Sequence, residues 1–115
     1  MPHLIIEYGQ ELANEQQIQP MIDAVHDAVL SSGLFTENDI MTRMVPLVHY
    51  RNGSGQHPSI HAQLRIMAGR SAVQKKDLSD AVLNAIRTQG WSAMVITVEV
   101  AEMDKDSYCK YSELN

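Results

Sequence analysis

The feature that most restricts how this chain can fold is a strand–helix–strand pattern that occurs twice in the same order. His3 to Tyr8 is a short β-rich apolar run ended by Gly9, which suits a buried strand. Asn14 is of a type that caps helices. Beyond it, Ile18, Met21, Ile22, Val25 and Val29 recur at the spacing of a helix with one buried face. Pro20 is expected within the first turns, where a missing N–H costs least. Ser32-Gly33 ends this helix, and Thr36 to Asp39 forms a turn. Met41 to Tyr50 then reads as a strand, with Pro46 marking an edge or a bulge. Arg51 to Gly55 is the clearest loop in the chain.

After that loop the order returns. Ile60, Ala62, Leu64 and Ile66 alternate with His61, Gln63, Arg65 and Met67, as in a half-buried strand. Gly69-Arg70-Ser71 turns into a second helix, with Ser71 and Gln74 spaced as a capping box. Val73, Leu78, Ala81, Val82, Ala85 and Ile86 supply its apolar stripe, Gly90 closes it, and Val95 to Val100 is the last strand. Two β-α-β units predict an α+β fold: a four-stranded mixed sheet with two helices on one face. The whole of 1–115 is expected to form one domain, with pseudo-repeats at about 2–51 and 59–103 and a polar tail, 104–115, left unassigned. The bare sheet face is expected to carry residues such as Leu4 or Ile6 and Val98 or Val100. These are too apolar to stay wet, so subunits should pack sheet against sheet.

Composition narrows the partners. With 44% apolar and 20% charged residues the chain is an ordinary soluble sequence, and a net charge of -5 argues against nucleic acid or an anionic membrane surface. A small anion stays compatible, because a few arginines in a pocket outweigh a mildly negative surface. No stretch approaches a membrane span, and no basic segment followed by an apolar one opens the chain, so the cytoplasm is the expected compartment. The single cysteine, Cys109, rules out an intrachain disulfide and is read as a free thiol.

Two residues carry candidate chemistry. Removal of Met1 would leave Pro2 as a secondary amine with a locked φ, anchored by the strand that follows. Apolar surroundings and nearby cations would keep such an amine neutral and able to act as a base. By itself a Met-Pro start carries no catalytic meaning. Arg70 lies between Gly69 and the capping Ser71, at the head of the second helix, where backbone donors and a guanidinium together favour a carboxylate. A lone arginine there could equally decorate an exposed turn. No metal is expected: His57 and His61 are four apart, but Pro58 and the strand pattern deny them a helical face, and His3, His26 and His49 are scattered. Tyr8 and Tyr50 fit a pocket lining or the core.

An ordered series of short motifs adds to this. It comprises Met1-Pro2-His3-Leu4-Ile5-Ile6-Glu7-Tyr8, Ser32-Gly33-Leu34-Phe35, Ile40-x-x-Arg43, Val48-x-Tyr50, Gly55-Gln56-His57 and Ala68-Gly69-Arg70-Ser71. Spread over residues 1 to about 103, the series resembles the 5-carboxymethyl-2-hydroxymuconate isomerase family of the tautomerase superfamily. The resemblance implies a homotrimer of β-α-β-β-α-β subunits and a cofactor-independent enol–keto isomerase. Its substrate would be a small anionic 2-hydroxymuconate-like acid, its acid–base Pro2, and arginines, Arg70 among them, would hold the carboxylates.

Two departures stand out. The family carries arginine at both alternate positions of Ile-Arg-x-Arg, whereas this chain has Ile40-Met41-Thr42-Arg43. Met41 therefore occupies a substrate-gripping position, and Arg43 is either its replacement or a solvated strand charge. The tail also lacks the family's basic, asparagine-containing pattern. The alternative reading is a non-catalytic oligomeric binding module that retains the fold.

Overall fold

The computed structural model describes residues 1–114. Strand β1 spans His3–Gly9, helix α1 Glu15–Ser31, β2 Met41–Leu47, β3 Ser59–Met67, α2 Ala72–Thr88 and β4 Val95–Met103. Short 3-10 turns at Gln10–Leu12 and Glu37–Asp39 bracket the first crossover. The sheet runs in the order β2-β1-β3-β4, with β1 antiparallel to β3 and each outer strand parallel to its inner neighbour. Each half is therefore a β-α-β unit, and the halves join along the antiparallel seam. The four-stranded mixed sheet and two 17-residue helices are the architecture expected from the sequence.

Period-two alternation decides what the helices cover. Leu4, Ile6 and Tyr8 of β1 and Ile60, Ala62, Leu64 and Ile66 of β3 are buried. They pack against Met21, Val25 and Val29 of α1 and Leu78, Val82 and Ile86 of α2, each set spaced by four residues on one helix face. Burying each such side chain contributes roughly 1.5–3 kcal/mol. Trp91, beyond α2, meets Tyr8 edge to face with ring centres 5.5 Å apart and closes one end of the core.

Local chemistry sets the helix ends. Ser71 Oγ accepts from the Gln74 N–H at 3.1 Å while Gln74 Oε1 accepts from the Ser71 N–H at 2.9 Å, the reciprocal box expected from the spacing. At α1, Gln17 Oε1 accepts from the Asn14 N–H at 2.9 Å. Gly33 and Gly90, both with φ +74°, end the two helices in the left-handed conformation.

Several expectations are corrected. Leu4 and Ile6 lie beneath the helices, and Val98 and Val100 pack partly against the same core. The open face instead carries His3, Ile5, Glu7, Arg43, His61, Gln63, Arg65, Thr97 and Glu99, with Met41, Val45 and Val95 as its exposed apolar members. The apolar argument for sheet-on-sheet packing therefore fails. Pro20, the sixth residue of α1, does fall within the first turns, but past the positions that have no helical acceptor, so the Gln16 carbonyl loses its helical donor at an exposed position. Val73 leaves the apolar stripe and is 69% exposed. β2 stops at Leu47, not Tyr50, and β4 continues three residues past Val100 to Met103. Among the described residues no helix is long and apolar enough to cross a membrane.

Candidate active site

Pro2 sits immediately before β1 and is fully buried on the helix side of the sheet, in phase with Leu4 and Ile6. Its carbonyl accepts from the Met41 N–H at 3.0 Å, which pins it beside the start of β2. Because β1 and β3 are antiparallel, with His3 opposite Arg65, the residues leaving β3 arrive next to Pro2. The resulting pocket, about 470 Å³, is walled by Met67, Ala68, Gly69 and Arg70 on one side. Leu34, Phe35, Thr36 and Asp39, from the connection between α1 and β2, form the other, with Met1 and Pro2 between them.

Arg70 reaches across this pocket. Gly69 has φ +124°, a conformation that L side chains rarely adopt, and it redirects the chain between the end of β3 and the cap of α2. Arg70 Nη2 then donates to the Leu34 carbonyl at 2.7 Å, and its Cζ lies 5.4 Å from the centre of the Phe35 ring. One N–H is used on Leu34, and the remaining donors of the fork are available to a carboxylate.

The one carboxylate on the wall is already engaged. Asp39 accepts from the Thr36 hydroxyl at 2.8 Å and from Lys110 Nζ at 3.1 Å. The Thr36 hydrogen bond, and after it Lys110, hold the Asp39 carboxyl below its ordinary range. An anion entering the pocket thus meets a guanidinium with no carboxylate partner among the described residues and a carboxylate paired with a lysine.

The sequence candidates therefore separate. Pro2 and Arg70 line one pocket. Met41 lends that site only its backbone N–H, and its side chain lies on the open face in the row of His3. Arg43 lines a different pocket on that open face, with Nη1 at 3.4 Å from His3 Nδ1. Sequence reasoning missed Asp39 and Lys110: the Ser32-Gly33-Leu34-Phe35 motif pointed at the adjoining wall, but nothing local links a tail lysine to residue 39. Tyr8 belongs to the core, and the Tyr50 hydroxyl donates to Glu11.

Known proteins resemble this chain in sequence and in fold. The family model for 5-carboxymethyl-2-hydroxymuconate isomerase matches residues 2–115. A 5-carboxymethyl-2-hydroxymuconate Delta-isomerase from Escherichia coli is 27% identical over 90 residues, 76% of this chain and 71% of the relative. The crystal structure of a 5-carboxymethyl-2-hydroxymuconate isomerase from Deinococcus radiodurans R1 superposes with a TM-score of 0.85 at 23% identity, over 97% of this chain and 90% of that one. A fused 4-OT solved as a symmetric trimer gives 0.83 at 16% identity, over 97% and 94%. The chain belongs to the 5-carboxymethyl-2-hydroxymuconate isomerase family, isomerases of the tautomerase superfamily.

Proposed function

We propose that this isomerase interconverts enol and keto forms of a 2-hydroxymuconate-like unsaturated acid, with Pro2, freed by removal of Met1, as its acid–base. The observation that supports this reading is that Pro2 and Arg70, from opposite halves of the chain, line one pocket. A secondary amine at Pro2 would be buried among Leu34, Phe35 and Met67 and close to a guanidinium. Both surroundings disfavour the ammonium form and keep the nitrogen basic near neutrality. The neutral amine takes the proton of the substrate 2-hydroxyl, and negative charge spreads over the conjugated oxo acid. Protonated Pro2 then returns that proton to a distal carbon. Positioned proton transfer of this kind contributes about 10²–10⁴-fold. Arg70, already oriented by Leu34 and Phe35, holds the substrate carboxylate and the developing charge, a contribution on the order of 10²–10³-fold.

The assembly we propose is a homotrimer, supported by the trimeric 4-OT relative of the same fold. Within one chain the side chains of Arg43 and Met41 lie on the open face of the sheet, outside the Pro2 pocket.

Intact mass spectrometry should show a mature chain lacking Met1. An absorbance assay over a panel of enol acids, phenylenolpyruvate included, should show turnover that disappears when Pro2 is blocked by retained Met1 or an acetyl group. Full activity in the blocked, folded protein would overturn the role of Pro2. Failure of every enol acid with Met1 shown absent would favour the non-catalytic reading.

A further inference from the structure

Adjacent residues at the start of β1 face opposite sides of the sheet. Pro2 points beneath the helices, whereas His3 enters a pocket of about 380 Å³ on the open face. Arg43, Arg65, Asp104 and Tyr108 also line it. The register assembles the cluster: His3 lies opposite Arg65 across β3, and Arg43 lies one step along β2, opposite Ile5.

The hydrogen bonds settle which atoms offer protons. A guanidinium can only donate, so the Arg43 Nη1 contact at 3.4 Å requires a bare His3 Nδ1. The imidazole proton is then on Nε2 and is given to the Tyr108 oxygen at 2.9 Å. Tyr108 keeps its own O–H to donate elsewhere. Burial first, then Arg43 and Arg65, lower the His3 pKa and favour the neutral ring.

Neither arginine has a carboxylate partner among the described residues. Two carboxylates of β4 are engaged elsewhere, while Glu7, on the same face of β1, lies opposite Val45 and His61 and outside the pocket lining. Glu99 accepts from His61 at 2.7 Å and Gln63 at 3.4 Å, and Glu102 pairs with Lys75 at 2.6 Å. Asp104 does line the pocket, but its Oδ1 accepts from the Asp106 N–H at 3.4 Å, and the Ser107 hydroxyl donates to the Asp104 backbone carbonyl at 3.5 Å. Two guanidiniums and a phenol O–H thus converge against one carboxylate held in its own turn.

We propose that this pocket binds a small oxyanion, a carboxylate or phosphate group, on Arg43, Arg65 and the Tyr108 hydroxyl, as a second anion site separate from the Pro2 pocket. Planar guanidinium forks suit either group equally well.

The test uses the full chain at constant ionic strength in chloride. Inorganic phosphate and, separately, succinate are titrated while His3 ring signals are followed by NMR and affinity by calorimetry. At least one anion should shift the His3 signals saturably, and the tighter of the two identifies the group preferred. Arg65→Gln should weaken that binding by about tenfold or more, the loss of one charge-assisted bidentate contact, while Arg70→Gln leaves it unchanged. No saturable shift with either anion overturns the proposal, as does binding lost in Arg70→Gln but kept in Arg65→Gln. The His3 readout is made on the unaltered protein, so a variant that fails to fold does not remove the test.

Discussion

Arg70 Nη2 donates to the Leu34 carbonyl at 2.7 Å, so the residue that would grip a substrate carboxylate also ties the two walls of the pocket together. Both tasks use one planar fork. Arg70→Lys keeps the charge but offers a single ammonium that cannot hold Leu34 and a carboxylate in the same geometry. The expected result is a fall in kcat/KM of about 10²-fold, close to 3 kcal/mol of transition-state stabilisation. Steady-state kinetics on a turned-over enol acid, with circular dichroism to confirm folding, would measure it.

Gly69 aims that arginine. Its φ is +124°, and a β-carbon there would meet nothing within 4 Å, so the constraint is conformational rather than steric. Gly69→Ala should cost on the order of 1–3 kcal/mol of backbone strain. Urea unfolding should show a lower midpoint with an unchanged slope, and activity should fall as Arg70 loses its approach. An unchanged midpoint together with full activity would show that the turn tolerates a side chain.

Leu64 is fully buried on β3, between the sheet centre and the helix stripes. Leu64→Ala leaves a cavity that the close-packed neighbours fill only in part. A loss of about 2–5 kcal/mol is expected in chemical denaturation. A loss below 1 kcal/mol would mean the core collapses around the gap.

His3 predicts a pH dependence of stability. Its pKa is lowered in the fold from the ordinary value of 6.5, by burial first and then by Arg43. The unfolded chain therefore binds the proton more readily than the folded one. Stability should be full above the unfolded pKa and decline as pH falls below about 6.5 through the folded value. Thermal midpoints between pH 7.5 and 5.5 should drop less in His3→Gln than in the unaltered chain. Equal drops would assign the acid sensitivity to other groups.

Much of the architecture was legible because its determinants are local. Asn14 with Gln17, Ser71 with Gln74, and Gly33 and Gly90 mark the helix ends through contacts between near neighbours. The four-residue recurrence of Met21, Val25 and Val29 and of Leu78, Val82 and Ile86 shows on the chain which helix face must be buried. Alternation in a strand is different. It separates Leu4 and Ile6 from His3 and Ile5 without saying which set the helices will cover.

The crossovers made that choice, and they placed Leu4 and Ile6 in the core and a polar row outside, against the sequence expectation. The same choice separated the candidates for the site. The motifs singled out Pro2, Arg70, Arg43 and Met41 one by one, but only the antiparallel β1–β3 seam brings Pro2 beside Arg70. Pleating sends Arg43 and the Met41 side chain to the other face. Nor could local pattern tie Lys110 to Asp39 or Tyr108 to His3, because those contacts join residues 71 and 105 positions apart. By itself the sequence determined the elements, whose forces act between near neighbours along the chain. Only the tertiary structure decided the pockets, which depend on which side of the sheet each strand turns toward the helices.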